Sequence, residues 1–80
     1  MLFRSQAAGA TRVELAADFT DWRPLALTKR ADGMWEAVLQ IASGLHRVNV
    51  RIDGAAWLAP AGITRAADEY GSEVGIFAVP

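Results

Sequence analysis

Gly44-Leu45-His46-Arg47-Val48-Asn49-Val50-Arg51-Ile52 is the stretch that decides the fold. Along it His46, Val48, Val50 and Ile52 fall on one face and Arg47, Asn49 and Arg51 on the other, the period of two that belongs to a half-buried β-strand. Ser43-Gly44 breaks the chain before it and Asp53-Gly54 turns it directly after, because Asp-Gly readily supplies the positive φ angles of a tight turn. A bounded, one-sided strand needs partners of the same kind.

The same period recurs on either side. Residues 2–6 read as a short first strand, and Ala8-Gly9-Ala10 turns into residues 11–17. There Val13, Leu15 and Ala17 face inward, while Arg12, Glu14 and Ala16 face outward. Residues 25–28 form a brief run after Arg23-Pro24, where proline favours a loop or an edge. Ala31-Asp32-Gly33 is a hairpin signal, and residues 34–41 place Trp35, Ala37, Leu39 and Ile41 on one face. Trp35 is therefore a core residue. Beyond Asp53-Gly54, Trp57-Leu58 can open a short strand, Ala59-Pro60-Ala61-Gly62 begins an irregular loop running to Gly71, and residues 74–79 close the domain. Residues 66–70 offer at most a helical turn. About seven short strands with frequent turns define an all-β fold, an antiparallel sandwich of the immunoglobulin-like type without its disulfide.

Composition narrows the function. Eighty residues make one small domain, read as residues 1–80, with little room for both a core and a deep catalytic cleft. The apolar share of 52% is enough for a packed core, and eight basic against nine acidic residues leave a formal charge of −1. Interspersed charge of that size gives no footprint for nucleic acid or an anionic membrane. No run approaches the roughly 18 apolar residues of a membrane span, so a soluble, cytoplasmic protein is expected. Cysteine is absent, which removes thiol nucleophiles and thiolate zinc sites.

Catalytic groups are equally sparse. His46 is the one histidine, with no carboxylate or serine at a suggestive spacing, and is expected to be a packed, hydrogen-bonded strand residue. Asp18 with Asp21 and Asp68 with Glu69 are the close carboxylates, but glycoside hydrolysis needs two carboxyls across a cleft with one made more basic by burial. Asp18 and Asp21 read instead as turn formers bonding nearby backbone amides. The expectation is a non-enzyme with no metal and no cofactor.

Two tryptophans stand out because they sit at polar turns, Trp22 at the end of Asp18-Phe19-Thr20-Asp21-Trp22 and Trp57 after Asp53-Gly54-Ala55-Ala56. Rings so placed either cap the ends of a small sandwich or meet a flat ligand, and a pyranose offers the apolar face that an indole stacks on. Arg47 and Arg51 are solvated ladder charges or, alternatively, donors to sugar hydroxyls.

Taken in order, Ala17-Asp18-Phe19-Thr20-Asp21-Trp22, the Gly44-to-Gly54 strand and turn with His46 in third place, Trp57, and Gly71-Ser72 resemble the glycogen-binding domains of carbohydrate-binding module family 48. That family includes the glycogen-binding domain of the AMP-activated protein kinase β subunit and the isoamylase N-terminal early-set domain. The resemblance implies an early-set sandwich that binds α-glucan, a glycogen- or starch-like polymer or oligosaccharide. It implies a carbohydrate-binding set of Trp22, Trp57, Asn49, Tyr70 and Ser72, with the tryptophans as stacking platforms. It also implies a catalytic or kinase partner as a possible companion. Asn49 stands where the kinase-type domain has a sugar-contacting lysine. Tyr70, Ser72 and Val74 replace its leucine, threonine and asparagine, Ala16-Ala17 replaces the glycine before the Asp-Phe turn, and Ala55-Ala56 sets Trp57 one residue late. The missing lysine at Asn49 and the valine at Val74 favour the alternative, an early-set domain that has lost sugar binding and serves as a structural or interaction module. Two exposed, roughly coplanar indoles on one side would favour sugar; buried or diverging ones would favour the interaction module.

Overall fold

A computed structural model describes residues 1–7, 9–67 and 71–80. Among the described residues, alternation of apolar and polar side chains becomes eight strands: β1 Leu2–Gln6, β2 Val13–Ala17, β3 Leu25–Ala26, β4 Thr28–Lys29, β5 Met34–Val38, β6 Gly44–Ile52, β7 Thr64–Ala67 and β8 Glu73–Val79. One 3₁₀ turn, Asp18–Thr20, follows β2. The strands form two antiparallel sheets, β1-β5-β4 and β3-β2-β6-β8-β7. All-β and two-layered, the protein is the early-set, immunoglobulin-like sandwich expected from its sequence. No helix among the described residues is long and apolar enough to cross a membrane.

The inward faces meet in one core. Val13, Leu15, Ala17, Val48 and Val50 come from the large sheet, and Phe3 and Trp35 from the small one, with Leu27 and Leu39 beside them. Trp35, 6% exposed, lies on β5 between Ser5 of β1 and Lys29 of β4. The alternation on β2, β5 and β6 thus translates directly into burial.

The strand boundaries show three corrections. Residues 25–28 are not one run: β3 pairs with β2 in the large sheet, and β4 pairs with β5 in the small one. The chain changes sheets at buried Leu27, whose N–H donates to the Val13 carbonyl at 2.9 Å, the way strands make the corners of a sandwich. The segment expected to be an irregular loop to Gly71 contains β7, so Ala66 and Ala67 are extended rather than helical. Residues 68–70, the rest of that expected turn, lie outside the described residues. Finally, Ala16 does point outward with Glu14 but is only 4% exposed. Its strand is flanked on both sides by β3 and β6, and a methyl group between longer neighbours is easily covered.

Turn chemistry matches the backbone. Asp53 and Gly54 both have positive φ, 51° and 74°, and Ala55 N–H donates to the Ile52 carbonyl at 3.0 Å, the type I′ pattern. The Asp53 carboxylate accepts the Thr11 and Arg12 amides at 2.8 and 2.7 Å, tying this turn to the entry of β2. At the other hairpin, Gly33 has φ 85° and its N–H donates to the Arg30 carbonyl at 3.0 Å, while the Asp32 carboxylate accepts the Met34 amide.

Gly75 has a different reason to be glycine. A Cβ there would stand 2.9 Å from Pro60 Cδ, 3.0 Å from the Val48 carbonyl oxygen and 3.3 Å from Ile63 Cγ2. The Pro60 loop rests on β8 because no side chain intervenes. Gly75→Ala should therefore destabilise the domain by about 1–3 kcal/mol through overpacking, read as a lower urea midpoint at unchanged slope. An unchanged midpoint would show that the Pro60 loop yields freely.

Candidate functional site

Outward positions on the large sheet carry the candidate site. On β6 they are Arg47, Asn49 and Arg51, in register with Ile76 of β8, Ala16 of β2 and Glu14 of β2 respectively. Beyond Gly75 the flank of β6 passes to the loop: Val50 and Leu58 exchange two backbone hydrogen bonds of 2.8 Å. That bridge places Trp57 against the outward side chain of Arg51.

At the other end of this row the turn after β2 lifts Trp22 over the sheet. Asp21 and Trp22 both adopt positive φ, 53° and 60°, a region that a bulky L-residue enters only when its surroundings enforce it. Here they do. Trp22 N–H donates to the Ala17 carbonyl at 2.8 Å, Asp21 N–H to Asp18 and Arg23 N–H to Thr20. The Thr20 hydroxyl accepts the Ala17 amide at 3.0 Å and lies 3.0 and 2.9 Å from the Ala17 and Arg23 carbonyls, its proton available to either. The braced turn leaves Trp22 47% exposed.

Trp22, Arg47, Asn49 and Val74 line one hollow of about 250 Å³. It lies just below the ~300–1,000 Å³ of enclosed small-molecule pockets, as suits a shallow recognition surface. Asn49 Oδ1 in it is buried and has no hydrogen-bond partner, a condition native proteins rarely leave uncorrected. Val74, 5% exposed, gives the hollow an apolar floor.

Trp57 is arranged differently. It is half-buried, and the Arg51 guanidinium sits 4.4 Å from its ring centroid. Arg51 is itself held by Glu14, at 3.0 and 3.1 Å, and Glu14 also faces Arg12 at 3.4 Å. One indole face is therefore covered by a fixed cation. Of the other residues expected at the site, Ser72 is exposed just before β8, two positions from Val74, and Tyr70 lies outside the described residues. The structure gathers Trp22 and Asn49, and it adds Arg47 to the hollow. Arg47 could be placed on the Asn49 face from sequence, but nothing in the alternation showed that it would share a hollow with Trp22.

Asp18 and His46 explain what holds the turn. His46 Nδ1 lies 3.0 Å from Asp18 Oδ1 and Nε2 lies 2.7 Å from the Ala42 carbonyl, while the Arg47 amide donates to Asp18 Oδ2 at 3.2 Å. The ring also packs against Phe19 and Phe77, with centroids 5.8 and 5.7 Å away. His46 is thus the packed, hydrogen-bonded strand residue expected, with a carboxylate partner that sequence spacing did not reveal. Asp18 bonds the distant β6 amide of Arg47, not a neighbouring one in the turn.

Two acceptors facing two ring nitrogens favour the imidazolium, since only the charged ring donates from both. The Ala42 carbonyl first, and then the Asp18 carboxylate, raise the His46 pKa above its ordinary 6.5. With the folded pKa above the unfolded one, the stability from this contact is complete below about pH 6.5 and is lost as pH rises through the folded value. Two-dimensional NMR of the ring should give a midpoint above 6.5, and urea midpoints should fall over that same rise in pH. An Asp18→Asn variant should lower the ring's midpoint, whereas an unmoved one would remove Asp18 from the account.

The large sheet of this small β-sandwich thus carries a shallow face that presents the Trp22 indole beside Arg47 and Asn49. The family model described as carbohydrate-binding module 48 (isoamylase N-terminal domain) matches residues 1–71. The chain belongs to that family of carbohydrate-binding modules. A search of the curated proteins found no match.

Proposed function

We propose that this chain, as one module spanning residues 1–80, binds α-glucan without acting on it chemically. The observation that carries the reading is the shallow hollow in which exposed Trp22 stands beside the polar side chains of Arg47 and Asn49. The pyranose C–H face lies on the indole while its hydroxyls bond these polar neighbours. Trp57 serves as a second platform through the face opposite Arg51, with Ser72 and, on the family resemblance alone, Tyr70 as further sugar contacts. Covering ~100 Å² of apolar surface per ring gives about 2–3 kcal/mol, so two rings and a few hydrogen bonds correspond to roughly millimolar to ten-micromolar binding before ordering costs. Weak, reversible tethering of an adjoining or partner catalytic protein to polymer follows, and a cytoplasmic location is part of the proposal. The matching family model is described by the isoamylase N-terminal domain and gives no support to the kinase partner that the resemblance raised, so none is proposed.

Titration of isotope-labelled protein with maltoheptaose and with β-cyclodextrin tests this through the three indole N–H resonances. The Trp22 and Trp57 signals should shift while buried Trp35 stays still. No shift at about 10 mM sugar, well above the weakest affinity expected, rejects glucan binding. It would favour the second reading, a structural or protein-interaction module, which the Arg51 cover on Trp57 and the apolar Val74 support.

A further inference from the structure

Asn49 is flanked on its own face by two arginines whose situations differ. Arg51 is neutralised by Glu14 and laid over Trp57. Arg47 lines the hollow with Trp22, and among the described residues no carboxylate lies within ion-pair distance of its guanidinium. Asp18, the acidic residue nearest to it in the hydrogen-bond network, takes the Arg47 backbone amide and His46 instead. Asp21 and Arg23, on either side of Trp22 in the chain, cancel in formal charge. Among the described residues, the charge in the hollow without an ionic partner is that of Arg47, beside the Trp22 indole and the Asn49 side chain.

From this geometry we infer that the hollow selects an anionic sugar unit: a glucosyl residue carrying a phosphate monoester or a carboxylate, stacked on Trp22 with its charge on Arg47. The inference rests on the glucan-binding reading and names its preferred substrate class. A guanidinium suits this role because its planar fork of donors matches phosphate and carboxylate oxygens. The Asn49 side-chain amide, which lines the same hollow, meanwhile faces a hydroxyl of the same unit, so the two side chains read complementary groups. A neutral unit satisfies Asn49 and leaves Arg47 to water.

The test compares three maltooligosaccharides of equal length: neutral, bearing one phosphate monoester, and ending in a glucuronate. Each is titrated into the protein while the Trp22 indole resonance is followed. The charged sugars should bind about tenfold tighter than the neutral one. This preference should shrink as ionic strength rises from about 0.01 to about 0.15 M, over which the Debye length falls from about 30 to about 8 Å. Arg47→Gln should abolish the preference, bringing charged and neutral sugars to the same affinity, and Arg47→Lys should keep part of it, which serves as the test should the glutamine variant misfold. A preference shared by both charged sugars assigns the hollow to anionic units in general, and one confined to phosphate assigns it to the ester. Equal affinity for all three sugars in the unaltered protein overturns the inference and leaves glucan binding standing. A preference that survives Arg47→Gln overturns the assignment to Arg47. No binding of any of the three overturns the glucan reading itself.

Discussion

Trp22→Ala should weaken maltoheptaose binding about tenfold or more, the equivalent of at least ~1.4 kcal/mol, without loosening the fold. The ring is exposed at the tip of a turn whose hydrogen bonds are made by backbone atoms and by Thr20, so its removal takes away a platform and little else. Trp57→Ala should have a smaller effect. That ring is half-buried and already has a guanidinium on one face, so less of its surface is free to gain from a sugar. Equal losses for both variants would show that Arg51 swings away when glucan binds. Glycine provides the sharper substitution at residue 22, because φ of 60° suits it better than any residue with a side chain. Trp22→Gly should bind no better than Trp22→Ala, yet hold or raise stability by up to ~1 kcal/mol. Loss of function together with gained stability is the mark of a residue kept for its ligand. Wild-type-like affinity in both residue 22 variants would sink the stacking proposal.

The second large effect lies in the core. Trp35→Ala should destabilise the domain by about 3–5 kcal/mol, a large share of the roughly 4–12 kcal/mol that ~0.05–0.15 kcal/mol per residue provides in a chain of 80 residues. The variant should melt well below the unaltered protein by circular dichroism. Trp35→Phe should cost less than half as much. The indole Nε1 is buried with no hydrogen-bond partner, so phenylalanine removes an unsatisfied donor along with the volume it gives up. Urea denaturation of both variants separates these contributions. Equal destabilisation would mean that the ring volume phenylalanine retains is worth nothing, and that the shape of the indole itself sets the value of Trp35.

Sequence by itself determined the sandwich. Val13, Leu15 and Ala17, then Trp35 and Leu39, then Val48 and Val50, are fixed on inward faces by a period of two, because adjacent side chains on a strand must point to opposite sides. The Asp53-Gly54 and Asp32-Gly33 turns were legible for a similarly local reason, the left-handed angles such turns demand. The ordered motifs around Trp22, His46 and Trp57 sufficed to identify the family. Sequence placed strands less well where they are short. The division of residues 25–28 between two sheets depends on Leu27 entering a core that both sheets build, and β7 exists because β8 offers it an edge.

Only the tertiary structure decided the character of the site. Alternation put Arg47, Asn49 and Arg51 on one face as equals, yet cross-strand register gave Glu14 to Arg51 and laid that guanidinium over Trp57. Register likewise brought Asp18 to His46 across 28 residues of chain, anchoring the turn that presents Trp22. Among the described residues, Arg47 was left without a carboxylate partner beside that ring. The physical reason is range: the face on which a side chain lies is set by its own backbone, whereas its charge partner and its exposure are set by whichever strand comes to lie beside it.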